Sequence, residues 1–322
     1  MNSIPIFLSS DDKYAKYLAT VIASVNANTS VPQCFFILDG GISVENKEKL
    51  ERFVATLNQC SIEFIQVNLA ELFDDIPENN GLSLAAYSRF LIPKIKKDLN
   101  KAIYLDVDVV VKSDIAELYN QNLDGYIIGA VQDFFDTVSD KGKINSIKQG
   151  CGVSLDACYF NSGVLLIDCE KWREQVKIED LLEIEKQYRN TRILNDQDIL
   201  NKYFENNYKV LPEKFNYCGQ DFGDGKKDYV VRHFIGHTKP WHVHPVPGKI
   251  MPKNIGDFWH YTEQTPFYEQ ILSECKVTGN DSKRLLQLNS LMSRIKGNSK
   301  INNLIQDKLY QGNSILKKSG DA

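Results

Sequence analysis

Two carboxylates, Asp106 and Asp108, interrupt the apolar run KAIYLDVDVVVKS at residues 101–113. Burying such charges unpaired is costly, so something must sit between them or water must reach them. In a strand, residues i and i+2 share a face, so the two could converge on one cation. Hard oxygen donors favour Mg or Mn over zinc. A solvated strand end is the plain alternative. An EF-hand register also places Asp106, Asp108 and Glu117 at loop positions one, three and twelve, but Val111 occupies position six, where glycine is needed.

All five histidines fall between residues 233 and 260, and HFIGHTKPWHVH packs His233, His237, Lys239, Trp241, His242 and His244 into twelve residues. The spacing matches no zinc motif of the H-E-x-x-H kind, and no cysteine cluster assists. One histidine joining the two carboxylates in a Mg or Mn shell stays open, as does a purely structural role. Lys239 could meet a phosphate as a point charge, with Gly236 admitting that phosphate to the backbone. In YFNSGVLLID, Asn161-Ser162-Gly163 reads as a small polar turn entering a strand, either plain or brought close to a ligand by its glycine. In LNDQDILN, Asn195 or Asp196 can cap a helix whose first turn holds Gln197 and Asp198. Capping explains one carboxylate, not the cluster.

The elements that must carry these residues alternate between two periods. IPIFLSS, CFFILDG and SIEFIQV are short apolar β-rich runs, while YAKYLATVIASVNAN and VENKEKLERFVATLN have helical spacing. This βαβαβ start implies a parallel sheet covered on both faces, with ligands beyond the carboxyl ends of its strands. SSDDKY at residues 9–14 occupies one such end, where Asp11 or Asp12 can also cap the next helix. CEKWREQVKIEDLLEIEKQYRN reads as amphipathic helix. Neither a G-x-G-x-x-G fingerprint nor a P-loop is present, so a nucleotide would be held by other means.

With 322 residues, 43% hydrophobic, the chain can bury a large core. Its net charge of -4 gives no reason to expect nucleic acid. No basic region precedes a long apolar run at the N-terminus, and no window reaches the length of a membrane span. Seven scattered cysteines without a C-x-x-C pair fit a reducing cytoplasm.

Two resemblances give these features a chemistry. DVDVV resembles the nucleophile motif of haloacid dehalogenase-type phosphatases, with GDGKKD at 223–228 as the distal metal motif and Asp106 as nucleophile. In that family the first motif usually follows the first strand, whereas here about a hundred residues precede it. Stronger is the second. SSDDKY, YSRF (87–90), YLDVDVVV, YFNSGVLLID, NDQDILN and HFIGHTKPWH stand in the order and approximate spacing of the family 8 glycosyltransferases, over roughly residues 4–265.

That resemblance implies a GT-A fold: a Rossmann-like α/β protein with a mixed central sheet flanked by helices, spanning 1–265, and a helical C-terminal extension, 266–322. It implies retaining transfer of a hexose, galactose favoured over glucose, from a UDP-sugar to a saccharide acceptor such as lipopolysaccharide, lipooligosaccharide or another cell-surface glycan. By motif position, Asp106, Asp108 and His233 look like Mn ligands, with Val107 between them at the donor site and Gly236 and Lys239 on the phosphates. Ser9, Asp11 and Tyr14 look like uridine contacts, although Lys13 stands where bacterial relatives often have Asn. Arg89, Asp133, Asn161, Ser162, Asp196 and Gln197 look like donor-sugar contacts, with Gln197, Asp196 and Asp133 nearest the chemistry.

The tail differs in character. Residues 281–322 hold eight Lys or Arg against three Asp, a local net of +5 in a chain whose first 280 residues sum to -9. Leu and Ile recur there at helical intervals, as in an interfacial helix that would dock on an anionic membrane, at the inner face of the cell membrane for a cytoplasmic enzyme with a lipid-linked acceptor. Folding back onto the catalytic domain is the alternative.

Overall fold

The computed structural model describes residues 3–67, 84–137, 141–218, 228–236, 239–241 and 255–274. The chain divides into two units, the first made of residues 1–219 and 227–235 and the second of 220–226 and 236–322.

The first unit begins with β1 (Ile4–Ser10), α1 (Ala15–Asn28), β2 (Gln33–Asp39), α2 (Val44–Val54) and β3 (Cys60–Gln66), close to where the apolar periods place them. All seven residues of β1 are buried, as expected of a central strand covered on both faces. β3 lies at the sheet edge and no residue in it is fully buried. Ser43 caps α2 by accepting from the Asn46 amide at 3.3 Å. That helix ends four residues earlier than its spacing suggests, because the Ala55, Thr56 and Leu57 amides fold back onto Glu51, Phe53 and Val54.

The main sheet also contains β4 (Lys101–Leu105), β6 (Ile128–Gln132), β7 (Phe160–Asp168) and β8 (Lys209–Val210), in the order β3-β2-β1-β4-β7-β6-β8. β1 to β4 run parallel, and β7 is antiparallel to both β4 and β6, so the sheet is mixed. β5 (Val109–Val111) and β9 (Val231–His233) form a separate antiparallel pair that sets Val109 opposite His233.

Three local expectations change. The run 101–113 is two strands in two sheets, not one strand: residues 106–108 form the turn between β4 and β5. α1 serves the free edge of β5, since Ser24 Oγ accepts from the Val111 amide at 3.0 Å and Asn28 Nδ2 donates to the Val111 carbonyl at 3.1 Å. Asn161, Ser162 and Gly163 are not a turn before a strand; they are buried residues of β7, whose pairing extends past β4 through the Asp106 amide to the Gly163 carbonyl at 2.8 Å. The long amphipathic stretch is two helices, Cys169–Gln175, capped by Asp168, and Ile178–Tyr188.

In the second unit, helices Ile255–Thr262 and Tyr268–Glu274 are described; Trp259 Nε1 donates to the Pro240 carbonyl at 3.2 Å and Phe258 packs against Trp241. The expected catalytic-domain limit at residue 265 falls inside this unit, and the basic segment 281–322 lies outside the described residues. Among the described residues no helix is long and apolar enough to cross a membrane.

Candidate active site

Asp106 and Asp108 meet His233 beyond the carboxyl end of β4. Convergence comes from the turn and from β5–β9 pairing, not from one face of a pleated strand. One ligand atom from each of the three residues lies within 4.8 Å of the others. His233 Nε2 is 3.1 Å from Asp108 Oδ1 and 3.9 Å from Asp106 Oδ2. Burial alone would lower the His233 pKa, but the neighbouring Asp108 carboxylate outweighs it and lifts the imidazole to about 10.

The floor of this cluster is the backbone of Gly163. A Cβ there would lie 2.2 Å from His233 Cε1 and 2.7 Å from Asp106 Oδ2, so glycine is needed for close approach rather than for a special turn. Two carboxylates and one imidazole, held together by a strand with no side chain between, suit a divalent cation of the Mg or Mn kind.

Arg89 links this cluster to the next. The guanidinium is 4% exposed, and it donates to Asp106 Oδ1 at 2.9 Å, to the Ser162 carbonyl at 2.7 Å, and to Ser162 Oγ at 3.0 Å. Its Nε lies 3.2 Å from Asp196 Oδ2, and the guanidinium stacks over the Tyr104 ring, whose hydroxyl donates to Asp106 Oδ1 at 2.8 Å. YSRF is therefore placed against the carboxylate pair although more than fifteen residues separate them in sequence. Ser88 beside it shares a 2.8 Å hydrogen bond with Ser9.

Asp133, Asn161, Ser162, Asp196 and Gln197 form a second, buried polar group. Gln197 Oε1 accepts from the Ser162 amide at 3.0 Å while its Nε2 donates to Asp133 Oδ2 at 3.3 Å. Burial raises the Asp133 carboxyl above its usual range, against the pull of the Phe135 amide and of Asn161. Burial likewise raises Asp196, with Arg89 opposing. The helix Asp196–Tyr203 starts here without a side-chain cap: Asn195 takes φ 48 and ψ -114, a backbone geometry that must be held by its surroundings. Asp198 holds it. That residue is completely buried and accepts from the Ile193 and Leu194 amides, both at 2.7 Å, and from the Tyr159 hydroxyl. In the sequence Asp198 is only a first-turn carboxylate, and nothing in the local pattern distinguishes its task from capping.

Ser9, Asp11 and Tyr14 sit where β1 passes into α1. Asp11 Oδ1 accepts from the Tyr14 amide at 3.0 Å, and Asp12 instead reaches across to the Ser43 amide and Asn46. Lys13 lies over the Tyr14 ring, 5.5 Å from its centroid. Val107 occupies the turn between the two ligand carboxylates. Gly236, at φ 83, and Lys239 belong to the second unit, and His237, His242 and His244 lie outside the described residues, as does GDGKKD except for Asp228.

The model of glycosyl transferase family 8 matches residues 5–244. The chain belongs to that family. A Haemophilus influenzae protein named as a glycosyltransferase is 33% identical over 246 residues, covering 74% of this chain and 72% of its own. The lipopolysaccharide 1,2-glucosyltransferase of Escherichia coli is 30% identical over 250 residues, 72% of this chain and 71% of that one. Among solved structures, the galactosyltransferase LgtC in complex with donor and acceptor sugar analogues superposes with a TM-score of 0.66 at 26% identity, over 87% of this chain and 99% of that one. The fold of this family 8 glycosyltransferase is GT-A, and the family implies a nucleotide-sugar donor and a saccharide acceptor. The haloacid dehalogenase-type phosphatase reading has no support in these likenesses, and Asp106, its supposed nucleophile, is instead bound by Arg89 and Tyr104.

Proposed function

We propose that this family 8 enzyme is a retaining hexosyltransferase that moves galactose, in preference to glucose, from a UDP-sugar to a saccharide hydroxyl with Mn or Mg. One observation carries the reading: Asp106, Asp108 and His233 converge at a floor kept open by Gly163. A cation bound there would neutralise charge developing on the departing diphosphate. Ser9, Asp11, Tyr14 and Val107 would hold the uridine end, Gly236 and Lys239 the phosphates, and Arg89, Asp133, Asn161, Ser162, Asp196 and Gln197 the hexose. The galactose preference rests on the likeness to LgtC, the glycan acceptor on that to the lipopolysaccharide glucosyltransferase.

Retention requires a covalent intermediate or departure and attack on one face. Asp196 is held by Arg89, and both ends of the Gln197 amide are engaged, by Ser162 and Asp133. Neither is a poised nucleophile, which supports same-face substitution. The bond from the anomeric carbon to the UDP oxygen breaks, the acceptor oxygen bonds on that face, and its proton passes to the leaving phosphate. Trapping a glycosylated Asp196 or Gln197 by mass spectrometry would reject this course.

The test is UDP release from UDP-galactose and UDP-glucose, separately, with Mn, with EDTA and with Asp108→Ala, while inorganic phosphate is read in parallel. Metal-dependent release from UDP-galactose, lost in the variant, is expected; phosphate without UDP would overturn the assignment. The tail 281–322 would dock the enzyme on anionic lipid at the inner membrane face, near a lipid-linked acceptor. Its deletion should abolish vesicle binding and leave turnover of a soluble acceptor; unchanged vesicle binding would reject that role.

A further inference from the structure

We infer that Asn216 is a positioning residue for the metal centre: by accepting from His233 Nδ1 it leaves Nε2, the nitrogen that faces Asp106 and Asp108, as the one to meet a cation. Asn216 is 2% exposed and stands at the end of the short helix Glu213–Phe215. Backbone bonds from the Tyr217 amide to Val231 and from the His233 amide to Tyr217 hold it beside β9. Its Oδ1 lies 3.0 Å from His233 Nδ1, and its Nδ2 donates to Asn161 Oδ1 at 2.8 Å.

The direction of this chain follows from its anchor. The Gly163 amide can only donate, and it points at Asn161 Oδ1 at 3.0 Å, so that atom is an oxygen. Asn161 Nδ2 then faces Asp133 Oδ2 at 3.3 Å, where an acceptor is waiting. Asn216 must turn its own NH2 to Asn161 Oδ1, which leaves its carbonyl oxygen for His233. A carbonyl accepts, so Nδ1 carries the proton. The ring nitrogen left to face a cation is therefore Nε2, which without one donates to Asp108 Oδ1 at 3.1 Å. Ligating histidines need such an outer partner to set tautomer and ring angle, and losing it typically costs about 10- to 100-fold in metal affinity. The same chain ends on the Asp133 carboxylate that also holds Gln197, so the metal cluster and the second polar group share one hydrogen-bond frame.

This inference rests on the metal reading of the Asp106, Asp108 and His233 cluster. The test is Mn binding to the full chain without donor, read from the free Mn signal in electron paramagnetic resonance. Asn216→Leu should weaken binding about 10- to 100-fold. Asn216→Asp, which keeps an acceptor for Nδ1, should bind Mn close to wild type while raising KM for the donor through the lost bond to Asn161. An Asn216→Leu protein that binds Mn as wild type does would overturn the inference, whereas a wild type that binds no Mn would overturn the metal reading itself. Should the leucine variant not fold, the Mg-loaded wild type decides: long-range nitrogen-proton spectra should show the His233 proton on Nδ1, and a proton on Nε2 would overturn the assignment.

Discussion

Buried charge is used in two ways in the first unit. Around the helix Gly142–Gly150, Lys148 donates to Asp136 Oδ1 at 2.6 Å and to the Leu155 and Ala157 carbonyls at 3.2 and 2.6 Å. Asp136 in turn accepts from Gln132 and the Tyr159 amide. Glu185 is closed in the same way by Arg189 and Arg192. At the ends of β4, β7 and β9 the balance is different: among the described residues, Asp106, Asp108, Asp133 and Asp196 surround Arg89 and His233, so carboxylates outnumber permanent cations there. A closed pair holds the chain together, whereas an open surplus of one sign is kept for something that arrives.

The largest effect that tests this contrast is expected from Asp108→Ala. UDP release should fall about 10³-fold, since several kcal/mol of charge stabilisation is lost, while the melting temperature should fall less than in Lys148→Met, because the His233 imidazole left without its carboxylate can turn neutral. A melting temperature that drops sharply would place Asp108 with the closed pairs. Lys148→Met should do the reverse, costing about 3–5 kcal/mol in urea unfolding by leaving Asp136 buried without its cation, with KM for the donor little changed. Gly163→Ala should weaken Mn binding, read by the same resonance titration, and cost about 1–3 kcal/mol in urea unfolding, because its Cβ meets His233 and Asp106.

The smallest effect is in pH. Burial would raise the Asp136 carboxyl, but Lys148 and the Tyr159 amide outweigh it and hold it below 3.8. A carboxyl depressed in the folded state adds stability above its unfolded pKa and loses it as pH falls through the folded value. The gap in melting temperature between wild type and Lys148→Met should therefore narrow as pH falls below about 4, where Asp136 takes up a proton. A constant gap would mean that Lys148 acts through packing alone.

Some of this was legible in local pattern. The periods of 2 and 3.6 placed β1, α1, β2, α2 and β3, because each element buries its own apolar residues and needs no partner to declare itself. Asp106 and Asp108 announced themselves as charges in an apolar run. Asn216 could not, since KFNYCGQ has no period and the residue's meaning comes from Asn161 and His233, 55 and 17 positions away. Asn161 to Gly163 read as a turn because small polar residues usually make one. They become strand because the Asp106 amide just past β4 on one side and Val131 of β6 on the other pair with them.

Residue type and order alone determined the α/β class, the carboxylate pair and the family motifs, because apolar periodicity and charge are properties of the chain itself. Tertiary structure decided that Asp106 and Asp108 meet His233 across a turn between two sheets, that Arg89 ties them to Asp196, and that only glycine fits beneath them. Such distances depend on how strands pair over a hundred residues apart, and no local pattern carries that information.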